Sequence, residues 1–420
     1  MRFEPLNLIS QLHDCNFNND FFCLRVEGET ELTHGPLSGL RIVEYSAFVA
    51  APLAGMSLAQ LGAEVIRIDP PGGNIDFRRM PRSVSGDSIY WAGLNKGKKS
   101  VVLDLSTQEG QETAQKIVCS PGKKSGILLT NLPARGWMDP ERLKALRPDL
   151  ITVRLTGNHD GSAAMDYTVN CASGFPIATG NTRDPVNHVL PVWDVAAGLY
   201  LALAIVAAER VRNETGQGQD INLALSDVML ATVANLGYVG DVQVNGASRD
   251  PIGNYLYGAF GHHFSTSDLR EIMVVAISAK QWKAICNATQ LSDQLAMIGT
   301  MLGVDLQTEE GLYEAREAIS AVLKPWFIKR TLQEVAEVFD TAGVLWGPYQ
   351  DFAQLVNQDP RCSIANPMFG EVEQSRIGKI LSPRSPLRFS WSGTPKPLLA
   401  PELGEHTSEV IANAQTFFKS

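Results

Sequence analysis

A chain of 420 residues exceeds what a single hydrophobic core usually serves, and 44% hydrophobic with 19% charged residues is the composition of an ordinary folded protein, so two units are expected. The net charge of -9 and a pI near 5.4 argue against a general nucleic-acid binder, which needs a positive surface field. Six cysteines (Cys15, Cys23, Cys119, Cys171, Cys286 and Cys362) form no CxxC pair, so no disulfide framework and no metal site is expected. A cytoplasmic location fits them, and the N-terminus shows no basic segment followed by an apolar stretch and a cleavage site.

Residues 1–36 read as a mixed polar extension. After it, residues 39–44 (GLRIVE) are a short apolar strand. The small-residue turn SAFVAAP, the helical pattern LAGMSLAQLGA and a second strand, EVIRID, follow. Strand, helix and strand make a βαβ unit and imply a parallel sheet with right-handed crossovers. The first turn lacks G-x-G-x-x-G, so a dinucleotide site has little support.

The stretch PPGGNIDFRRMPR is turn-rich and basic, and YWAGLNKGKKSVVLDL places Asn95, Lys96, Lys98 and Lys99 in a loop before a strand. Lysines at a strand end are usually solvated; the functional alternative is a clamp on phosphates. Residues 106–109 (STQE) match a capping box, with a helix to about residue 118. GILLTN ends a strand at Asn131, with Arg135 in the next loop, and LITVRL is followed by the run containing Asp166. Asn131, Arg135, Asp166 and Asp194 therefore lie in or near loops after strands, where open α/β sheets bind ligands.

From Val195 to Ala208 every residue is apolar or Gly, which predicts a core helix. Fourteen residues rise about 21 Å at roughly 1.5 Å each, short of a bilayer core of about 30 Å, so no membrane span is expected. Asp194 is then the N-cap, a role that needs no chemistry. A further strand and helix follow, after which residues 226–344 read as a smaller domain and residues 345–420 as loops, short strands and prolines.

The ordered motifs PLSGLRIVEYSAFVAAPLAGMSLAQLGAEVIRIDPPGG, LNKGKKSVVLDL, TNLPARGW, DYTVNCASG, PVWDVAAGLY and TGQGQDINLALSD resemble the class III CoA-transferases of the CaiB/BaiF type over about residues 37–415. Further motifs (VNHVLP, GNYLYGAFG and LGEHT) point within that family to a member that moves CoA between the two carboxylates of one unsaturated diacid. The resemblance implies an α/β fold: a Rossmann-like parallel-sheet large domain formed by residues 37–225 and the return of 345–420, a smaller α+β domain, and an interlocked ring-shaped homodimer. It implies Asp194 as a nucleophile, with Asp166 where some relatives carry a second acid. Phe48, Val49, Ala50, Leu103 and Asn131 match CoA-binding segments, and Lys96, Lys98, Lys99 and Arg135 are carried over as phosphate partners. CoA enters as part of the substrate, an acyl-CoA, with no prosthetic group, no nucleic acid and no membrane. Where some members carry a run of glycines before the smaller domain, this chain reads RDPIGNYLYG.

Covalent catalysis suits this chemistry because it splits a difficult displacement between carboxylates into easier steps. The alternatives are an intermolecular transferase, a 2-methylacyl-CoA racemase and a CoA-binding protein without turnover. A racemase pairs a His with its Asp, and the residue before Asp166 is Met165, leaving His159 and His188 as substitutes. Hydrogen bonds that keep Asp194 ionised also lower its nucleophilicity, so a nucleophile is expected to be less fully capped than an ordinary N-cap.

Overall fold

The computed structural model describes residues 35–133, 135–390 and 395–417, so nearly all of the expected N-terminal extension lies outside it. Six strands, β1 (Arg41–Tyr45), β2 (Glu64–Asp69), β3 (Lys99–Val102), β4 (Ile127–Thr130), β5 (Ile151–Thr156) and β6 (Gln219–Ala224), form one parallel sheet in the order β3-β2-β1-β4-β5-β6. The central strands are buried on both faces, as a parallel sheet under two helical layers requires; β4 reads ILLT and is buried throughout. Val43 on β1 stands opposite Ile66 on one side and Leu128 on the other. The strand order reverses between β1 and β4, and their carboxyl ends open the crevice in which such sheets hold ligands.

One face of the sheet is covered by α1 (Ala50–Gln60) and by α3 (Val192–Thr215), with the short α2 (Asp166–Ala172) beside them. The packing uses small residues: Ala50, Ala51 and Ala54 share a core with Ala197, Leu201 and Ile205. At Gly198 a Cβ would come 2.8 Å from the carbonyl oxygen of Ala50, so the absence of a side chain sets how closely the two helices approach. The other face is covered by the helix Gln108–Val118, capped by Thr107 and not by Ser106, and by the C-terminal helix Thr407–Phe417. That last helix is tied to β3 through the His406 N–H, which donates to the Ser100 carbonyl at 2.9 Å.

Helix α3 has 24 residues and rises about 36 Å, so the length argument against a membrane span does not hold. By length and composition it is apolar enough to cross a bilayer. In this fold it is the central helix of the large unit: Trp193, Ala197, Leu201, Ile205 and Ala208 are buried against the sheet and α1. Its last turn is fixed by Arg212, whose Nη1 donates to the carbonyls of Ser125 (2.8 Å) and Gly126 (3.1 Å).

The smaller unit is an antiparallel sheet of β7 (Phe260–Ser265), β8 (Glu271–Ala276) and β9 (Leu345–Pro348), packed by helices through Trp282, Phe327 and Phe339. Pairing of β9 with β8 carries this sheet past the expected boundary at 344. At the other boundary, α4 (Leu225–Asn235) places Leu225, Val228 and Met229 in the core of the large unit.

Candidate active site

Helix α3 begins at Val192, so Asp194 is its third residue and not its N-cap; Pro191 holds that position and has no side-chain donor or acceptor to offer. The cap comes from elsewhere in the chain. Asp166, at the start of α2, turns its carboxylate onto the first turn of α3, where Oδ2 accepts the N–H groups of Trp193 (2.8 Å) and Asp194 (3.0 Å). Both donors are orphans of a helix start, and a carboxylate there also meets the positive end of the helix dipole. Asp166 is 4% exposed and its Oδ1 has no hydrogen-bond partner among the described residues.

The Asp194 carboxylate accepts no hydrogen bond among the described residues and is only partly exposed. Burial pushes its pKa up to about 6; the charge of Asp166 adds to the rise and that of Arg79 opposes it. At neutral pH Asp194 is therefore mostly ionised, weakly solvated and free of donors, the state in which a carboxylate attacks a carbonyl best. A second layer fixes its neighbours. Trp193 Nε1 donates to Asn170 Oδ1 at 3.2 Å, and the Trp193 ring stacks on Phe175 at 6.2 Å.

The turn after β1 forms the opposite wall. Asn131, at the end of β4, makes a reciprocal pair with it: Ala47 N–H donates to Asn131 Oδ1 (2.9 Å) and Asn131 Nδ2 donates to the Ala47 carbonyl (2.6 Å). Phe48 adopts a left-handed conformation (φ 67°) uncommon for an aromatic residue, and its N–H donates to Asp76 Oδ2 at 3.1 Å. Asp76 in turn accepts from the Arg67 guanidinium at 3.1 Å. Val49 and Ala50 continue into α1, with Ala50 buried against Gly198.

The lysines carried over as phosphate partners are bonded within the protein. Lys98 is completely buried, and its Nζ donates to Glu44 Oε1 (2.9 Å), the Pro52 carbonyl (2.8 Å) and Asn95 Oδ1 (2.8 Å). Burial pushes its pKa down to about 8 against the pull of Glu44. Lys99 pairs with Glu64 (2.9 Å) and Glu409 (2.7 Å), and Lys96, largely buried, donates to the Gly93 carbonyl at 2.8 Å. These ammonium groups are thus engaged within the protein. Leu103 is buried in the core on the far face of the sheet. Arg135 is exposed after β4, with no ion pair among the described residues.

Sequence reasoning missed Arg79 and Tyr90. Both come from the basic turn and the short helix after it, and the Arg79 guanidinium lies 5.3 Å from the Phe48 ring centre and 5.4 Å from that of Tyr90. Burial pushes the Tyr90 hydroxyl up to about 12, so it stays protonated. The RDPIGNYLYG segment is held both within itself and by its neighbours: Arg249 lies over the rings of Tyr238 (4.2 Å) and Tyr257 (3.7 Å), and Gly253 N–H donates to the Gly180 carbonyl at 2.7 Å. His188 Nε2 sits 3.1 Å from Asn170 Oδ1, so this ring is bonded to an amide rather than to either aspartate.

The parallel sheet carries a buried aspartate free of hydrogen-bond donors at the start of α3, and the chain belongs to CoA-transferase family III, whose model matches residues 37–407. It is 49% identical over 380 residues to the 2-methylfumaryl-CoA isomerase of Chloroflexus aurantiacus, covering 90% of this chain and 93% of that one. It is 27% identical to the succinate–glutarate CoA-transferase of Agrobacterium fabrum, over 91% and 96% of the two chains. Among solved structures, a CAIB/BAIF family protein from Brucella suis superposes with a TM-score of 0.73 at 26% identity, covering 91% of this chain and all of that one.

Proposed function

We propose that this protein converts 2-methylfumaryl-CoA (mesaconyl-C1-CoA) to 3-methylfumaryl-CoA (mesaconyl-C4-CoA) by intramolecular CoA transfer, with Asp194 as the nucleophile. The observation that carries the reading is the division of labour between two aspartates: Asp166 takes the helix-start donors, leaving the Asp194 oxygens unbonded in the crevice. The 49% identity to an isomerase of this substrate supports the choice of acyl group.

In the proposed sequence, Asp194 attacks the C1 thioester carbonyl and the C–S bond breaks, giving a mixed anhydride and CoA thiolate. The thiolate attacks the aspartyl carbonyl, forming an aspartyl thioester and releasing the diacid as a bound dianion. Its C4 carboxylate attacks that thioester and expels the thiolate, which then attacks the C4 carbonyl and frees Asp194. No proton is consumed. Burial of Asp194 serves each step, since the anhydride survives only where water is excluded. Phe48, Val49, Ala50 and Asn131 are proposed to border the pantetheine path, and Arg135 to meet phosphate.

An interlocked homodimer is proposed with this reading. The outward face of α3 exposes Leu199, Leu203 and Val206, with Leu230 of α4 beside them, an apolar face of the kind that a subunit contact covers. Light scattering in solution tests the dimer. A mass-resolved assay with 2-methylfumaryl-CoA tests the activity: the wild type is expected to form the C4 thioester and Asp194→Asn to form none, while an active variant removes the nucleophile. Entry of isotope from labelled free 2-methylfumarate would mark an intermolecular transferase instead, and deuterium from solvent at a substrate carbon would mark a racemase.

A further inference from the structure

The intramolecular reading imposes one requirement: the diacid released in the second step must be held by its idle carboxylate while it turns. Four backbone donors near Asp194 are already committed. The N–H groups of Ala47, Phe48, Trp193 and Asp194 are all given to side chains of the protein. Two side-chain donors on the facing wall are unengaged. Arg79 is exposed and makes no ion pair or side-chain hydrogen bond among the described residues, while four acidic or amide groups, Glu44, Asp69, Asp76 and Asn95, are taken up by Arg67 and Lys98 in a buried cluster. The Tyr90 hydroxyl is shielded from solvent and has no hydrogen-bond partner among the described residues.

Neither group is loosely placed. The Arg79 carbonyl accepts from Ser88 Oγ at 2.6 Å, and Ser88 caps the helix that carries Tyr90. The guanidinium stands beside the Phe48 and Tyr90 rings, an arrangement that holds a cation without neutralising it. Phe48 is two residues before Ala50, and Asp194 is one turn before Gly198; because Ala50 and Gly198 touch, the start of α1, with Phe48 and the Arg79 that overlies it, lies near the start of α3. The charge of Arg79 is felt at Asp194 accordingly.

We propose that Arg79, with the Tyr90 hydroxyl beside it, seats the free carboxylate of the acyl group, first in the thioester and then in the released diacid. Arginine presents planar paired donors that match a carboxylate in two-point contact. The site thereby selects acyl groups carrying a second carboxylate and retains the diacid between half-reactions. This inference rests on the isomerase reading, and its test separates the two.

The experiment compares wild type, Arg79→Gln and Arg79→Lys with 2-methylfumaryl-CoA as substrate and crotonyl-CoA, which lacks the second carboxylate, as competitive inhibitor. If the wild type does not isomerise 2-methylfumaryl-CoA, the functional reading fails. If it does, Arg79→Gln is expected to lose about tenfold to a hundredfold in kcat/KM, the effect of one charge-assisted contact. It is also expected to release free 2-methylfumarate during turnover and to leave crotonyl-CoA inhibition unchanged, with Arg79→Lys intermediate in each. Unchanged kcat/KM without acid release overturns the proposal. Equal weakening of both thioesters also overturns it and makes Arg79 a contact to CoA.

Discussion

Asp166 caps the helix that carries Asp194, through two hydrogen bonds from one oxygen to the backbone N–H groups of Trp193 and Asp194. The acid that would ordinarily cap its own helix is thus relieved of the task, at the cost of a second carboxylate nearby that raises its pKa.

Removing the charge but not the acceptor separates these effects. Asp166→Asn is expected to lower the Asp194 pKa from about 6 toward the ordinary carboxylate range, moving the acid limb of the kcat/KM profile to lower pH. Asp166→Ala removes the cap as well and is expected to cost about 1–2 kcal/mol of stability. An acid limb that stays near pH 6 in Asp166→Asn would show that Asp166 does not act on Asp194.

Ionised Asp194 is expected to weaken the fold. Its folded pKa, about 6, lies above the ordinary carboxylate value, so its favourable contribution is fully present below about pH 4 and is lost as pH rises through about 6. At pH 7 Asp194→Asn should therefore be more stable than the wild type, by roughly 1–3 kcal/mol. The gain should shrink as pH falls from 7 to 4, which paired melting curves will measure.

Lys98 is expected to behave as a structural residue. Lys98→Met leaves Glu44 buried without its main cation and should cost about 3–5 kcal/mol. Glu44→Gln added to it should restore part of that loss. A phosphate contact predicts a raised KM for the CoA thioester with little change in melting temperature.

Gly55 tests the same cluster from the helix side. A Cβ there would overlap Glu44 Oε2, which α1 covers, and the nearest atom of Lys98 would be 3.3 Å away. Gly55→Ala improves helix propensity by about 1 kcal/mol but is expected to destabilise the protein by about 1–3 kcal/mol net through overpacking. Denaturant midpoints decide the sign.

Strand positions in the large sheet were legible because parallel strands under two helical layers are short apolar runs separated by turns. Position on α3 was not. VWD reads as a helix entrance, yet the cap that lets the helix start at Val192 comes from Asp166, 28 residues before Asp194. The lysines read as surface charge or clamp because nothing local shows that Glu44, on the first strand, waits for Lys98 beneath α1. Arg79 was hidden for the opposite reason: it lies in a turn rich in arginines, and only the tertiary placement of Phe48 and Tyr90 separates it from Arg78 and Arg82.

The reciprocal bonds between Asn131 and Ala47 have a consequence for how this crevice can vary. Where β1 and β4 part, the ladder has no further backbone rung, and the Asn131 amide supplies one by imitating a peptide group. The floor of the cleft therefore inherits the stiffness of the sheet, while its walls, built from residues 74–90 and 165–191, are turns and short helices outside that ladder. Substitutions in those walls are expected to leave the rung between Asn131 and Ala47 in place.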